Sequence, residues 1–293
     1  MAGVRDAGAH VIVLPGGGYA MHAPHEGQPI ADWLNWFGVE ASVFAYPLNV
    51  QHPAPLDALR KEILRLRSAG SARIGVIGCS AGGHLAGLAA LTDSGSGAAV
   101  DFAVLCYAIT SMETETYRPA RVILLGEDAT PELRRSTSLN ALVTPSSPPF
   151  FLWHTAEDAY VPPQHTYLLA ASLAAVALLA ATLSISSLAS LSVLERRQEI
   201  GLMKAIGAQD WLIGSLFLAE TALQGVLGGS LGFAGGQFLA QLLGRVLFGS
   251  GVALNWLILP LVLAIALGVS SIGTWVAVRR AARQDPARVL QGV

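Results

Sequence analysis

The stretch RIGVIGCSAGGHLAGLAALT, residues 73–92, sets a short apolar run directly before a helical pattern, with a serine at the junction. The run at 73–79 favours a strand, and the residues after it carry apolar side chains at three- and four-residue spacing, as a helix does. Between them lies GCSAG (78–82), a G-x-S-x-G sequence in a strand-to-helix context. This predicts a nucleophile elbow, a strained turn that exposes the Ser80 hydroxyl and leaves no room for neighbouring Cβ atoms. The alternative is a glycine-rich turn without chemistry.

Similar runs and helical patterns alternate on both sides of this turn. The apolar runs lie at 10–15, 39–46, 73–79, 100–108 and 149–154. The helical patterns lie at 27–37, 55–69 and 81–92. Short apolar runs bounded by Gly and Pro are typical of strands that are buried on both faces. The alternation predicts an α/β fold with a doubly wound parallel sheet, whose ligand site lies at the carboxyl ends of the strands.

A glycine run follows the first predicted strand. In PGGGY (15–19), Gly17 and Gly18 can turn backbone N–H groups towards the serine. The N–H group of Ala81 would be the second donor of an oxyanion hole. A plain flexible turn is the alternative at this position.

Several motifs in this order resemble one superfamily. They are LPGGGYAMHAPHEGQPIADWLNWFGVEASVFAYPL, HPAPLDALR, GCSAGGHLAG and LLGEDATPELRRSTSLNALVTPSSPPFFLWHTAEDAYVPP. Together they resemble the acetyl-xylan and feruloyl esterases of the α/β-hydrolase superfamily, from about residue 9 to about residue 175. The resemblance implies deacylation of sugar or small alkyl esters, with Ser80 as nucleophile and Asp158 as the triad acid. The spacing to Val161 and Pro162 favours Asp158, and the neighbouring Glu157 stays open as the alternative.

The resemblance also implies a catalytic histidine that the sequence does not supply. In this superfamily the triad follows the chain order Ser, Asp, His, but no histidine follows His165. His165 lies only seven residues after Asp158, so we do not expect it to act as the base. We expect the other histidines near these motifs to be packing or loop residues: His22, His25, His84 and His154. The sequence therefore predicts a truncated, hydrolytically impaired α/β-hydrolase with an uncovered apolar strand edge that begins after the family's opening strands.

The composition changes sharply along the chain. Residues 1–167 hold 25 of the 38 charged side chains and all seven histidines, whereas residues 168–293 hold 13 charges and no histidine. This break predicts two domains with different solvents, 1–169 and 170–293. The two cysteines, Cys79 and Cys106, have no metal-ligand spacing and are expected to be buried apolar residues, so no metal and no cofactor are predicted.

Three apolar segments predict an all-α, three-helix transmembrane part. They lie near 170–193, 211–247 and 255–278, and about 20 apolar residues suffice to cross a bilayer. We expect six glycines of the second segment to be helix-packing positions: Gly225, Gly228, Gly229, Gly232, Gly235 and Gly236. Basic residues follow the first and third segments, and the connection 248–254 carries none. The 195–210 loop and the carboxyl terminus are therefore predicted to be cytoplasmic, in a multi-pass inner (cytoplasmic) membrane protein.

These segments carry a second resemblance. LERRQEIGLMKAIGAQDW and VAVRRAARQDPARVLQG resemble the carboxyl-terminal half of FtsX/MacB-type ABC permeases, over about 174–293, without the family's first span and extracytoplasmic domain. In that family the cytoplasmic loop implies contact with a partner ATPase, and the matching positions here are Glu199, Gly201, Lys204 and Gly207. Without the resemblance, the residue pattern of this loop predicts an amphipathic helix at a membrane face. Such a helix would either dock a partner or anchor the chain at the membrane surface.

The two parts imply conflicting topologies. The predicted orientation starts the first span outside, but Met1–His10 contains no export signal that would carry the hydrolase segment across. No polar linker separates the segments, which suggests an accidental or artificial fusion. Three functions stay open: a membrane-tethered serine esterase acting on a small ester, an FtsX/MacB-type permease subunit with an ABC ATPase partner, and a non-functional chimera. Besides these partners and the lipid bilayer, no nucleic-acid partner is expected.

Overall fold

The computed structural model describes residues 8–92, 95, 97–248 and 256–282. The chain divides into two compact units, Met1–Val176 and Ala177–Val293. The first unit contains a sheet with its helices, and the second contains long apolar helices. Three predictions concern residues that are wholly or largely outside the described part of the chain. They are the prediction that Met1–His10 contains no export signal, the uncharged connection at 248–254 and the charged carboxyl terminus from residue 283.

Among the described residues of the first unit, five parallel strands form the sheet, as the sequence predicts. They are β1 (Ala9–Leu14), β2 (Glu40–Val43), β3 (Arg73–Cys79), β4 (Phe102–Cys106) and β5 (Phe150–Trp153). The strand order is β2-β1-β3-β4-β5, and every pairing is parallel. The chain leaves β1 towards one edge and returns on its other side, so the order reverses between β1 and β3. In open α/β sheets, ligand sites lie outside the carboxyl ends of the strands at such a reversal.

The sequence predicts the helices that precede β4 but not the short ones that follow it within this unit. The predicted helices are α1 (Gln28–Trp36), α2 (Ala54–Ser68) and α3 (Ser80–Leu91). Three further helices between β4 and β5 were not predicted: α4 (Arg118–Leu125), α5 (Pro131–Ser136) and α6 (Leu139–Leu142). None exceeds eight residues, so none is long enough for a helical period to stand out in the sequence.

The main core lies between the sheet and helices α2 and α3. The strands contribute alternate side chains to it: Ile12, Leu14, Ile74, Val76, Ala103 and Leu105. The helices contribute fully buried residues that include Leu59, Ile63, Leu85 and Leu88. The expectation that every strand is buried on both faces is wrong for β2, where Glu40 is exposed and the other residues are partly buried, and also for β4 and β5. Phe102, Val104 and Cys106 of β4 are only partly buried, and all four residues of β5 are too.

A polar network is enclosed in this core around His84, which is fully buried on α3. Its Nδ1 lies 2.7 Å from the Tyr19 hydroxyl, and its Nε2 lies 2.8 Å from the Thr137 carbonyl oxygen. A neutral ring satisfies both contacts, with Nδ1 accepting from the hydroxyl and Nε2–H donating to the carbonyl. Burial lowers the pKa of His84 to about 4 because a charged ring would lose its hydration.

In the described residues, four helices follow the sheet. They are α7 (Gln164–Glu195), α8 (Arg197–Ala205), α9 (Asp210–Phe248) and α10 (Ile258–Ala282). Helices α7, α9 and α10 are long and apolar enough to cross a membrane, and they coincide with the three predicted segments. The shortest has 25 residues, more than the roughly 20 that a bilayer core requires.

Helix α7 begins inside the core of the first unit. His165 and Leu169 are at most 1% exposed, and Leu173 packs against the same core cluster. Further along the helix the large apolar side chains become exposed, for example Leu179 and Leu183, which are 65% and 71% exposed. One helix therefore supplies both a core element and an apolar surface of the kind that lipid covers.

The glycines of α9 do not all act as packing positions. A Cβ on Gly225 would lie 2.8 Å from the Ser270 hydroxyl oxygen, and one on Gly229 would lie 3.1 Å from the Ala266 Cβ, so these two bring α9 close to α10. The prediction is wrong for the other four, Gly228, Gly232, Gly235 and Gly236, where a Cβ would meet no described atom within 4 Å. Gly232 and Gly236 follow Gly225 by seven and eleven residues and so share its stripe without meeting α10, whereas Gly228 and Gly235 lie to one side of that stripe.

Lowering the pH should destabilise the first unit through His84. An unfolded histidine titrates near about 6.5, whereas the folded pKa of His84 is about 4, so the unfolded chain gains a proton first as the pH falls. The neutral, buried His84 therefore adds on the order of 3 kcal/mol to the free energy of unfolding above about pH 6.5, and this contribution is lost progressively towards pH 4. Denaturant unfolding in detergent at pH 7, 6, 5 and 4 measures this change in the free energy of unfolding.

Two variants isolate this effect. His84→Gln keeps hydrogen-bonding groups but does not titrate, so its unfolding free energy should depend less on pH. Ser68→Ala, at an exposed position of α2 that carries no titratable group, is the control and should keep the wild-type dependence. Equal pH dependence in wild type and His84→Gln would contradict the assignment.

Candidate functional site

Ser80 lies where β3 ends and α3 begins, with a backbone φ of +51°. Residues other than glycine rarely adopt this left-handed region, and such strain concentrates at functional sites. A Cβ on Gly78 would lie 2.3 Å from the carbonyl oxygen of Gly82, and one on Gly82 would lie 2.1 Å from that of Leu14. The turn therefore requires both glycines of the G-x-S-x-G sequence. Within the described residues, the Ser80 hydroxyl makes no hydrogen bond.

The glycine run after β1 lies directly beside this serine. A Cβ on Gly16 would be 2.9 Å from the Ser80 Cβ. Gly17 and Gly18 have φ values of +119° and +65°, and a Cβ on Gly17 would be 2.2 Å from the Met21 carbonyl oxygen, so only glycine fits there. On the other side of the serine, Ala81 occupies the first turn of α3, where N–H groups have no acceptor within the helix. The residues expected to form an oxyanion hole therefore flank Ser80 on both sides.

Asp158 lies in the loop after β5. Its Oδ1 accepts hydrogen bonds from the N–H groups of Tyr160 (2.8 Å) and Val161 (2.9 Å), which fixes the loop. The side chain is 16% exposed, and its Oδ2 lies 3.7 Å from His154 Nε2. Glu157 is exposed and has no comparable anchoring in the described residues. Since β3 and β5 lie on either side of β4, the loops that carry Ser80 and Asp158 follow strands at the same edge of the sheet.

The histidines are held in other contacts. His165 Nδ1 accepts from the N–H groups of Thr110 and Ser111, both at 3.1 Å, and its Nε2 lies 3.0 Å from the Glu115 carbonyl oxygen. His154 contacts the Thr166 hydroxyl at 2.7 Å and the Val161 carbonyl oxygen at 2.8 Å. His84 is enclosed in the core, His10 lies by Ser42, and His22 stacks edge-on against Tyr46. In the described part of the chain, no imidazole forms a hydrogen bond with Ser80.

Sequence reasoning missed Glu26, which lies at the end of a short 3-10 turn, Pro24–Glu26. The residue is 8% exposed, its Oε2 accepts the Gly16 N–H at 2.7 Å, and its Oε1 accepts the Tyr107 hydroxyl at 2.9 Å. The only signal was a single acidic residue in an otherwise uncharged loop. Nothing in its spacing marks it as buried.

The two cysteines end neighbouring strands in register, Cys79 on β3 and Cys106 on β4. Contact with Cys106 and burial raise the pKa of the Cys79 thiol, whereas contact with Cys79 lowers that of Cys106. Cys79 is buried as predicted, and Cys106 is only partly buried. Among the described residues, no cluster of three or more His, Cys, Asp or Glu side chains could hold a metal ion.

Helix α8 and the turn after it contain the residues expected to face a partner, with Gly207 in the turn. Ile200 packs with Val193, Ile213 and Phe217 in a small apolar cluster that holds α8 against its neighbours. Of the predicted contact residues, Glu199 and Gly207 are exposed, Lys204 is partly exposed, and Gly201 is buried. The turn before α8 is tied to α9 by an ion pair between Arg196 and Glu220, with Nη1 and Oε2 3.0 Å apart.

Comparison with known proteins separates the chain into two parts. A family model described as BD-FAE matches residues 68–173, and one described as FtsX-like permease C-terminal matches residues 171–286. The crystal structure of an acetyl ester-xyloside bifunctional hydrolase from Caldicellulosiruptor lactoaceticus superposes with a TM-score of 0.54 at 36% identity. The match covers 56% of this chain and 67% of that one.

Curated relatives follow the same division. Endo-1,4-beta-xylanase B of Butyrivibrio fibrisolvens is 29% identical over 184 residues, which are 56% of this chain and 29% of that protein. An uncharacterized ABC transporter permease of Methanocaldococcus jannaschii is 31% identical over 124 residues, 41% of this chain and 31% of the permease. The chain thus spans about a third of the length of these relatives. Both resemblances seen in the sequence are confirmed.

Substituting Gly82 should disrupt the elbow. In Gly82→Ala the new Cβ would collide with the backbone carbonyls of Leu14 and Pro15, which cannot move without displacing β1, so we expect a loss on the order of 3 kcal/mol or more. Gly87→Ala, in the same helix, is the matched control because the nearest atoms to its Cβ belong to the buried Leu139 side chain, which can shift at a smaller cost than backbone carbonyls. Thermal unfolding in detergent, followed by circular dichroism, should show a clearly larger decrease for Gly82→Ala. Equal decreases would argue against a backbone constraint at Gly82.

Proposed function

We propose that the protein is a membrane-tethered serine esterase module with impaired hydrolysis, because residues 68–173 match the BD-FAE model and residues 171–286 match the FtsX-like permease model. The observation that carries the proposal is the strained Ser80 at a glycine-flanked elbow, with a glycine loop beside it. The relatives' names include acetyl ester and xylan chemistry, so the proposed substrate is a small ester such as a sugar acetate.

The proposed reaction is acyl transfer to Ser80. The Ser80 oxygen attacks the ester carbonyl, the N–H groups of Gly17, Gly18 and Ala81 stabilise the oxyanion, and the alcohol leaves with a proton. Asp158 would orient the base that carries this proton. A serine hydroxyl needs such a base at neutral pH, and His84, His154 and His165 are committed to other hydrogen bonds. We therefore place the hydrolysis rate about 10⁴-fold or more below that of a complete triad.

We further propose how the permease part is arranged. Helices α7, α9 and α10 cross the inner membrane, and basic residues such as Arg196 and Lys204 place α8 and the carboxyl terminus in the cytoplasm. On that side, the exposed Glu199 and Gly207, with Lys204, would form the contact with an ABC ATPase subunit. The esterase and permease proposals are independent, and failure of both would leave the non-functional chimera.

A fluorophosphonate probe tests the esterase proposal on the full-length protein in detergent. The Ser80 oxygen would form a bond to phosphorus, fluoride would leave, and the serine proton would pass to a base in solution. We expect slow labelling that imidazole accelerates at least tenfold, because imidazole can occupy the position of the missing base. Imidazole should likewise increase hydrolysis of an alkyl acetate ester, and Ser80→Ala should abolish both effects.

A matched pair of variants tests the proposed role of Asp158 as the triad acid. Asp158→Asn should reduce the imidazole-dependent rate by about tenfold or more, since the amide cannot stabilise an imidazolium. Glu157→Gln, one residue earlier and exposed, should leave it unchanged. Rapid labelling without imidazole would contradict the impairment, and no labelling of Ser80 with imidazole would contradict the esterase proposal.

Co-purification tests the permease proposal. Glu199→Lys reverses an exposed charge on α8 and should reduce recovery of an ABC ATPase with the tagged protein from membranes at least several-fold. Gln198→Ala changes an exposed, uncharged neighbour and should not. If no ATPase accompanies the wild-type protein, or if both variants recover it equally, α8 is not the docking element.

A further inference from the structure

Glu26 is a buried carboxylate that the proposed acyl transfer does not use. Removing such a group from water costs several kcal/mol unless hydrogen bonds replace its hydration. Here each oxygen accepts one hydrogen bond, from the Gly16 N–H at 2.7 Å and from the Tyr107 hydroxyl at 2.9 Å, and the exposed His25 Nε2 lies 3.6 Å from Oε1. Charge-assisted hydrogen bonds of this kind are short and strong, so each donor is held in one position.

The two donors belong to different parts of the site. Gly16 begins the glycine run, and the position of a Cβ on Gly16 lies 2.5 Å from Glu26 Oε2 and 2.9 Å from the Ser80 Cβ. The carboxylate, the glycine run and the serine therefore meet at one point. Any displacement of Glu26 would displace the residue that precedes the two expected oxyanion donors.

Tyr107 extends the connection to the other strands. It directly follows β4 with a φ of +39°, its N–H donates to the Trp153 carbonyl oxygen at 2.6 Å, and its ring packs edge-on against Trp153 at 5.5 Å. Trp153 ends β5, five residues before Asp158. One chain of contacts thus runs from the glycine loop through Glu26 and Tyr107 to the strand that precedes the acid loop.

We propose that Glu26 is a positioning residue that holds the glycine loop against Ser80 by linking Gly16 to Tyr107. This inference rests on the proposed esterase function for its catalytic consequence but not for its structural one. The carboxylate does not contact the substrate. It fixes the loop so that the Gly17 and Gly18 N–H groups are aligned before the oxyanion develops, and loss of one such donor typically costs 10²- to 10³-fold in rate.

Two substitutions separate positioning from proton transfer. Glu26→Leu has a similar size but no acceptor, so the Gly16 N–H loses its partner. Glu26→Gln keeps an acceptor for Gly16, and its amide can donate to the Tyr107 oxygen, but it cannot take up a proton. Positioning predicts that Gln largely rescues what Leu removes. Tyr107→Phe, which breaks only the second link, should have an intermediate effect and covers the case in which Glu26→Leu fails to fold.

Hydrogen exchange of the full-length protein in detergent gives a readout that does not depend on activity. Peptides covering residues 15–21 should exchange at least several-fold faster in Glu26→Leu than in wild type, and at close to the wild-type rate in Glu26→Gln. Glu40→Leu is the control, because the Glu40 side chain is 73% exposed on β2 and should leave this segment unchanged. Unchanged exchange in both Glu26→Leu and Tyr107→Phe would overturn the proposal.

Imidazole-assisted ester hydrolysis gives the catalytic readout. Glu26→Leu should reduce kcat by about tenfold or more with little change in KM, because the aligned donors act mainly in the transition state. Equal loss in Glu26→Gln and Glu26→Leu, with normal exchange in Glu26→Gln, would overturn positioning in favour of proton transfer by Glu26. If Ser80 does not react even in wild type, the esterase function fails, while the exchange measurement still decides whether Glu26 holds the loop.

Discussion

The close approach of α3 to the carbonyl groups that end β1 is the constraint on which the hydrolase unit depends. At Gly82 the helix backbone lies so near Leu14 and Pro15 that no Cβ fits between them. This approach lets Leu85 and Leu88 reach the core, and it also brings Ser80 beside Gly16. Packing and the arrangement of the reactive residues therefore rest on the same backbone contact, which is why the unit tolerates a left-handed serine there.

The sequence was most informative where backbone geometry restricts the choice of residue. The five strands, the elbow at Ser80 and the three apolar helices each follow from glycine placement or from a periodic pattern, and the structure contains all of them. Glu26 could not be predicted, because its importance comes from contacts with Gly16 and with Tyr107, which is 81 residues away. The glycines of α9 show the same limit, since spacing puts Gly232 and Gly236 on the same face as Gly225 and Gly229 but does not reveal where along that face α10 stays close.

The two parts of the chain place opposite demands on their side chains. In the hydrolase unit, polar groups are buried in pairs, as His84 is with Tyr19 and Thr137. In the apolar helices, serine and threonine hydroxyls such as that of Ser184 donate to the carbonyl oxygen four residues earlier, so that these hydroxyls need no partner on another helix. The chain changes from one way of satisfying polar groups to the other within a few turns of α7. This change accounts for the break in charge and histidine content along the sequence.

Helix α7 belongs to both parts, and this limits how they can be taken apart. His165 and Leu169 are core residues of the hydrolase unit, and Leu173 still packs against it. A cut at Gln164 would remove the helix that fills this part of the core and leave the Thr110 and Ser111 amides without the imidazole that now accepts from them. A water-soluble form of the hydrolase would have to retain about three turns of α7 and carry polar replacements on its outward surface. Cutting the chain where α7 begins would therefore remove part of the core of the hydrolase unit together with the apolar helices.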